Sequence, residues 1–423
     1  MTIRLIHPAA AHGHLRAPPS KSYTHRALVA AFLSNRECEV VGPLDSDDTR
    51  ATRNGLRVLG ARVWNSASGW KVAPSPHGVR RVRRTVRCGE SGTTLRFLSA
   101  VAARGGDPVS FEGAAGLSVR PMGELFGALR QLGAVIRCPV RGRSLPCTIR
   151  GPLRAGTVTV RADVSSQFVS ALLMVLPTAV GPSRLRLRGP SVSKPYVEAT
   201  RAVLKDRRVR IDVARDGFLI PGDQRYRAGR ILVPGDASSA AYLWAAAAVT
   251  GGRVEIEGVP ADLPQADLAI LPIFTKMGAG VYRGARSVRV TGPVTEPISV
   301  NLTNSPDLFP LVSVLAAGVP GGRSQLKGAP HLKFKESNRR AQSVRLVRAM
   351  GAGVSEYPSR VEIIGTDSPR ALNLPSLADH RLVMSAAVAA LIGSGTSRIG
   401  RAETVSKSFP GFWNALAALT KGG

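Results

Sequence analysis

The sequence predicts an α/β fold made of six copies of one unit, and three observations carry that prediction. A Leu/Met-Gly-Ala phrase recurs at a nearly constant step. A polar cluster followed by an apolar run keeps the same step, and Val/Ile-rich segments alternate with helical ones along all 423 residues. The phrase stands at Leu59-Gly60-Ala61, Leu132-Gly133-Ala134, Met277-Gly278-Ala279 and Met350-Gly351-Ala352. Gly60 to Gly133 and Gly278 to Gly351 are each 73 positions. Gly133 to Gly278 is 145, about twice that step, as one decayed copy ending near Leu204-Lys205-Asp206 requires.

Each copy opens on a Ser- or Asp-led cluster, a helix N-cap signal. In chain order these are Ser20-Lys21-Ser22, Glu90-Ser91-Gly92-Thr93, Val164-Ser165-Ser166-Gln167, Gly235-Asp236-Ala237-Ser238-Ser239, Asn304-Ser305-Pro306-Asp307 and Asp379-His380-Arg381. The apolar runs that follow, such as Ala27 to Leu33, Ser170 to Leu176, Ala240 to Val249 and Ser385 to Ile392, lack internal proline and are too long for a typical strand. They read as buried helices. A Gly-bearing turn and a Val/Ile-rich strand come next, as in Gly252-Arg253-Val254-Glu255-Ile256-Glu257. A polar-faced helix then closes on Leu/Met-Gly, where glycine suits the left-handed position after a helix. Alternating strands and helices define the α/β class.

At this length one core gives way to two or three domains, and 44% hydrophobic residues suffice for more than one core. Six units divide into two sets of three, with the break expected between Gly222 and Pro234, after the polar stretch that starts at Pro221.

No span reaches the roughly 18 apolar residues of a membrane helix, and Met1-Thr2-Ile3-Arg4-Leu5-Ile6-His7 lacks a signal-peptide core. The protein is expected to be soluble and cytoplasmic. Cys38, Cys88, Cys138 and Cys147 show neither CxxC spacing nor a metal-type pairing with the seven histidines, so they read as reduced structural thiols.

The net charge of +30 favours anionic partners through long-range steering. Arg80, Arg81, Arg83, Arg84 and Arg87 look like a nucleic-acid patch, but aromatics are only 5% of the chain and do not interleave with them as base-stacking platforms. The cluster lies inside a repeat, where Val79, Val82 and Val86 can turn inward, and reads better as the solvated face of a strand or loop.

Helix N-termini carry free N–H groups and about half a positive charge, so several of them aimed at one place form an anion site. Lys21, Ser22 and Arg26 stand at the first start, Arg120 before Pro121, Arg381 after His380, and Lys407 near the end of the chain. Lys335 and Arg339 stand at i and i+4, where like charges on one helix face repel unless an anion lies between them. Acids at these positions are few. Asp307 suits a first-turn acid or a base, Glu336 an ion-pair partner or an acid; Ser165, Ser166 and Gln167 suit a helix cap or a set of neutral phosphate donors.

Together, Pro19-Ser20-Lys21-Ser22-Tyr23-Thr24-His25-Arg26, Leu44-Asp45-Ser46-Asp47-Asp48-Thr49, Ser91-Gly92-Thr93-Thr94-Leu95-Arg96, Arg120-Pro121-Met122, Val164-Ser165-Ser166-Gln167-Phe168, Ser193-Lys194-Pro195-Tyr196, Gly235-Asp236-Ala237-Ser238-Ser239, Lys335-Glu336-Ser337-Asn338-Arg339, Asp379-His380-Arg381 and Lys407-Ser408-Phe409-Pro410 resemble the ordered motif set of the 5-enolpyruvylshikimate-3-phosphate (EPSP) synthase family. The resemblance runs from about residue 15 to 415.

The resemblance implies transfer of the enolpyruvyl group from phosphoenolpyruvate to the 5-hydroxyl of shikimate 3-phosphate, through a tetrahedral intermediate that loses phosphate. It implies an inside-out α/β barrel of two domains, 20–233 and 1–19 with 234–423, each of three βαβαββ units, with the active site in the interdomain cleft. It implies no cofactor and no metal, a monomer, and no nucleic-acid or membrane partner. Residue by residue it assigns Lys21, Ser22, Arg26, Ser165, Ser166, Gln167, Ser193, Tyr196, Asp307 and Lys335 to shikimate 3-phosphate. It assigns Lys21, Gly92, Arg120, Gln167, Arg339, Arg381 and Lys407 to phosphoenolpyruvate, with Gly92 bordering the space where the herbicide glyphosate competes. Asp307 resembles the base that takes the 5-hydroxyl proton, Glu336 the acid that protonates the methylene carbon, and Lys21 a cation that stabilises charge shifting on the phosphate.

Glu90, Phe97, His331 and Asn338 depart from the residues commonest in the family, Asn, Pro, Asn and Asp. A sister enolpyruvyl transferase acting on UDP-N-acetylglucosamine would share the six-unit fold, but the Lys335–Arg339 and Ser193–Tyr196 motifs argue against it. A non-enzymatic basic nucleic-acid-binding protein on the same scaffold is another reading, and a catalytically retired repeat protein with a structural role a further one, against which the intact Lys21, Asp307 and Glu336 argue.

Overall fold

Among the described residues the strands form six small sheets, each holding one parallel pair. The computed structural model describes residues 2–34, 36–74, 85–328 and 330–421. Val79, Val82, Arg80, Arg81, Arg83 and Arg84 lie outside them; Val86 is buried and Arg87 exposed on the strand Thr85–Arg87.

The chain divides into two compact units, a first of Pro19–Pro234 and a second of Met1–Pro18 with Gly235–Gly423. In the first unit the helices are α1 (Lys21–Leu33), α2 (Asp47–Val58), α3 (Gly92–Ala102), α4 (Ala115–Ser118), α5 (Gly123–Gln131), α6 (Ser166–Val175) and α7 (Lys194–Asp206). The second unit carries α8 (Ala237–Thr250), α9 (Ile270–Lys276), α10 (Phe309–Ala317), α11 (Arg339–Ala349), α12 (His380–Ala390) and α13 (Phe412–Thr420).

Within each sheet one parallel pair is extended by antiparallel strands. In the first unit, Thr85–Arg87 runs parallel to Val109–Glu112, and Thr157–Arg161 parallel to Ser183–Arg188, each pair separated by a buried helix. The remaining sheet of that unit closes late: Gly229–Leu232 returns to run parallel to Cys38–Val41. The polar stretch before Pro234 is therefore not simply a linker. The second unit uses the N-terminus twice. His12–Arg16 lies parallel to Arg253–Glu257, and Ile3–Ile6 lies antiparallel to Ser397–Gly400, in a sheet of three strands among the described residues.

Helices α1, α3, α6, α8, α10 and α12 follow the six polar clusters and are the buried ones, their side chains forming the cores. Ser91, Ser165, Asp236 and Asp379 cap four of them by accepting a backbone N–H. In the second unit Trp244 is fully buried and donates its indole N–H to Val288 O at 3.0 Å, which satisfies the one polar atom of a large apolar side chain.

The recurring glycines end helices as expected. Gly60, Gly133, Gly278 and Gly351 have φ of 102°, 98°, 91° and 97°. The next residue donates its N–H back to a helix carbonyl five positions earlier, as Ala61 does to Leu56 and Ala134 to Leu129. The copy that lost the phrase kept the turn. It lies a little later than the sequence placed it: Val209 donates to Leu204 O, and Arg208 takes the glycine position with φ of 58°.

Candidate active site

In the first unit the candidate residues gather at the starts of α1, α3, α6 and α7. Lys21 is the first residue of α1, and its Nζ lies 3.0 Å from Oδ2 of Asp48 near the start of α2. Two residues of α1 then tie it to its neighbours. His25 Nδ1 is 2.7 Å from Thr52 Oγ1 on α2, and Thr52 Oγ1 is 2.7 Å from Thr94 Oγ1 on α3. Arg26 donates to Thr200 Oγ1, Ser22 O and Tyr196 O, each at 2.8 Å.

Burial controls both of these groups. It pushes His25 down to about 3, with Lys21 and Arg26 adding to the effect and Asp48 opposing it. The imidazole is therefore neutral at physiological pH. Burial also lowers Arg26 to about 10, which leaves it charged. Its guanidinium carbon stands 5.5 Å from the ring centroid of Phe97, so the departure at Phe97 gives Arg26 an aromatic face to lie on.

The starts of α3 and α6 are bonded together. Arg96 donates Nη1–H to Gln167 Oε1, and Gln167 donates Nε2–H to Thr93 Oγ1 at 3.0 Å. Ser165 caps α6 through the N–H of Gln167, and Ser166 is the first helical residue. Gly92 opens α3. A Cβ built there would stand 3.0 Å from Nη1 of Arg120 and 3.1 Å from Nη1 of Arg96, which puts Arg120 beside this helix start. Ser193 precedes α7 with φ of 55°, and Tyr196 is half-buried in its first turn.

In the second unit one buried guanidinium organises three carboxylates. Arg339 donates Nη1–H to Asp307 Oδ1 at 2.7 Å, Nη2–H to Glu336 Oε2 at 2.6 Å and Nε–H to Asp379 Oδ2 at 2.8 Å. Asp307 is also 3.2 Å from Lys335 Nζ and 2.9 Å from Arg381 Nη2. Glu336 lies 3.7 Å from Lys407 Nζ. Asp379 caps α12 through the N–H of Arg381, so one carboxylate fixes both arginines.

Burial is the largest influence on Asp307 and pushes its carboxyl up, but Arg381, Lys335 and Arg339 together outweigh it and hold the group well below the ordinary aspartate value. Burial works against the charge on Arg339, and Asp379, Glu336 and Asp307 more than restore it. The cluster interleaves cations and carboxylates, each charge held by a neighbour of opposite sign.

Lys335 and Arg339 do not share a helix. Asn338 caps α11 by accepting the N–H of Ala341 at 3.3 Å, so the helix begins at Arg339 and Lys335 lies in the segment before it. They meet at Asp307 rather than across an i, i+4 pair. Asn caps as well as Asp does, which accounts for the departure at Asn338. His331 is buried, and burial lowers it to about 4, reinforced by Lys335 and opposed by Asp307. A neutral imidazole donates and accepts as the amide of Asn would, so this departure keeps the charge of the site. Glu90 is exposed.

Sequence reasoning gave no site role to Asp48, Asp379 or Thr200. The first two lie in quoted motifs, and Asp379 carried a readable N-cap signal. Thr200 had none. Among the described residues no group of three His, Cys, Asp or Glu side chains could hold a metal, and no helix is long and apolar enough to cross a membrane.

The first unit offers cations and neutral hydroxyl donors at helix starts, and the second offers two carboxylates among cations, the groups that a reaction between anions needs. The family model described as EPSP synthase (3-phosphoshikimate 1-carboxyvinyltransferase) matches residues 6–416. The chain is 39% identical to the 3-phosphoshikimate 1-carboxyvinyltransferase of Methanocorpusculum labreanum over 414 residues, 96% of each chain. It is 40% identical to that of Thermococcus kodakarensis, covering 96% of this chain and 97% of the other. Its fold is similar to a solved EPSP synthase from Acinetobacter baumannii, with a TM-score of 0.82 at 25% identity over 99% of this chain and 98% of that one. The enolpyruvyl transferase NikO from Streptomyces tendae shares the fold, with a TM-score of 0.77 at 16% identity over 99% and 97% of the two chains.

Proposed function

The chain belongs to the EPSP synthase family, and we infer that it transfers the enolpyruvyl group of phosphoenolpyruvate to the 5-hydroxyl of shikimate 3-phosphate, releasing phosphate. It is a transferase of the shikimate pathway and aromatic amino acid biosynthesis. The observation that carries the reading is Asp307, a carboxylate held between Lys335, Arg339 and Arg381 with Glu336 on the same guanidinium.

Each group then has a role. Ser22, Arg26, Ser165, Ser166, Ser193, Tyr196 and Lys335 hold shikimate 3-phosphate, with Lys21 and Gln167 serving both substrates. Gly92, Arg120, Arg339, Arg381 and Lys407 hold phosphoenolpyruvate. Asp307 takes the proton of the 5-hydroxyl as its oxygen attacks C2 of phosphoenolpyruvate. Glu336 delivers a proton to C3, so the double bond becomes a methyl group and a tetrahedral intermediate forms. Loss of a C3 proton and expulsion of phosphate restore the double bond. Lys21, Arg120 and the second-unit cations stabilise charge as it moves onto the leaving phosphate, an electrostatic contribution aimed at the transition state.

The anions also solve a difficulty in the resting cluster. A carboxylate pinned below its ordinary pKa is a weak base, and one paired with Arg339 is slow to become an acid. The phosphate and carboxylate of the substrates compete for the same cations, so their binding loosens both carboxylates and brings them toward proton transfer.

The test is a phosphate-release assay with phosphoenolpyruvate and shikimate 3-phosphate, run against UDP-N-acetylglucosamine as acceptor and with a DNA-binding control. Turnover with shikimate 3-phosphate alone supports the reading. Turnover with the nucleotide sugar, or DNA binding without turnover, overturns it.

A further inference from the structure

We propose that Thr200 is a positioning residue that sets the spacing of three helix starts in the first unit and, through them, the grip on shikimate 3-phosphate. The proposal rests on the assignment of those starts to that substrate. Thr200 is fully buried in α7, so it does not itself meet a ligand from solvent. Its Oγ1 accepts Arg26 Nε–H at 2.8 Å, lies 2.8 Å from Ser170 Oγ and stands 3.1 Å from Tyr196 O.

The polarity of this knot is fixed at one end. Arginine only donates, so the Thr200 oxygen accepts from Arg26 and spends its single proton on Ser170 or Tyr196. Three helices meet there: α1 through Arg26, α6 through Ser170 and α7 through Thr200 itself.

The knot lies one helical turn below Ser22, Ser166 and Tyr196, and its member Arg26 is itself assigned to shikimate 3-phosphate. Arg26 follows Ser22 by four residues, Ser170 follows Ser166 by four, and Thr200 follows Tyr196 by four. Residues four apart lie on one helix face, so each member of the knot sits beneath a residue assigned to shikimate 3-phosphate. Arg26 ties the layers together by also donating to Ser22 O and Tyr196 O. Apolar contacts tolerate small slides between helices, whereas a chain of bonds near 2.8 Å through one oxygen does not. Thr200 thus fixes Ser22, Ser166 and Tyr196 relative to one another without touching the ligand.

Thr200→Val keeps the shape of the side chain and removes the oxygen. It is expected to raise the KM for shikimate 3-phosphate about tenfold, with kcat and the KM for phosphoenolpyruvate within about threefold of wild type, because most groups assigned to phosphoenolpyruvate lie on other elements. Thr200→Ser restores the oxygen and is expected to stay within about threefold throughout. Should Thr200→Val fail to fold, Ser170→Ala removes the far end of the knot and is expected to raise the same KM severalfold. A melting temperature lowered in Thr200→Val with the shikimate 3-phosphate KM unchanged would make Thr200 merely structural and overturn the proposal. Lys21→Met serves as control: if it loses shikimate 3-phosphate binding while Thr200→Val does not, only the positioning role fails. If neither affects binding, the assignment of the site fails as well.

Discussion

Nη1 of Arg339 lies 2.7 Å from Oδ1 of Asp307, so the carboxylate proposed as the base is already holding a guanidinium. Arg339 is itself buried and shared with Glu336 and Asp379, which fixes Asp307 relative to the second carboxylate. Asp307→Asn keeps the size of the side chain and some of its hydrogen bonds while removing the proposed base. Turnover is expected to fall about a hundredfold or more, with binding of shikimate 3-phosphate changed little. Steady-state kinetics with direct binding measurements check this. A change confined to KM would make Asp307 a positioning group and send the search for the base elsewhere.

Arg208 holds a place that glycine holds in four sister copies, with φ of 58° where Gly60, Gly133, Gly278 and Gly351 lie between 91° and 102°. A left-handed conformation costs a side-chain-bearing residue roughly 1 kcal/mol relative to glycine. The side chain of Arg208 is exposed, so its removal sacrifices no packing. Arg208→Gly is expected to stabilise the protein by up to about 1 kcal/mol and raise the midpoint of denaturant unfolding without changing kcat. Gly133→Ala, the reverse change at a matched position, is expected to lower it by a similar amount.

This turn shows what the sequence reveals and what it hides. The repeat was legible from glycines and caps because both act locally: Ser91, Ser165, Asp236 and Asp379 cap the helices they precede. The decayed copy hid because backbone hydrogen bonds preserved the turn after its glycine was lost. Lys335 and Arg339 were misplaced on one helix because i, i+4 spacing says nothing about where a helix starts, and Asn338 starts it between them. The site residues were legible as a motif set, but their partners were not. Lys21 meets Asp48 from 27 positions away and Arg26 meets Thr200 from 174, and no periodicity records such pairs.

His25 makes the acid side of the stability curve testable. Burial holds its folded pKa near 3, against 6.5 when exposed, so on acidification the unfolded chain takes a proton that the folded chain refuses. The sign follows: stability is lost as pH falls below about 6.5, at about 1.4 kcal/mol per pH unit from this group. Between pH 8 and pH 5 that is ~2 kcal/mol. His25→Gln does not titrate there. It is expected to be less stable than wild type at pH 8 because the bond to Thr52 is altered, and the gap is expected to narrow by ~2 kcal/mol at pH 5. Denaturant unfolding of both forms at the two pH values measures the gap. A gap of constant size would mean that His25 accepts a proton in the folded protein.

Gly92 opens α3 with no Cβ, and a methyl group added there would meet the guanidinium of Arg120 at 3.0 to 3.1 Å and Nη1 of Arg96 at 3.1 Å. Both neighbours are the ends of long side chains rather than backbone, so the helix itself survives the change and the guanidiniums move. Arg120 is assigned to phosphoenolpyruvate, and its displacement by a few tenths of an ångström weakens that substrate moderately. The methyl group also narrows the space beside α3, and a bulkier competitor suffers more from a fixed loss of room than a smaller one does. Gly92→Ala is therefore expected to raise the KM for phosphoenolpyruvate severalfold and the inhibition constant for glyphosate by at least about tenfold more. The readout is the ratio of the two constants in wild type and variant. An unchanged ratio would mean that glyphosate and phosphoenolpyruvate do not share the space beside Gly92, and that Arg120, not the methyl group, carries whatever effect is seen.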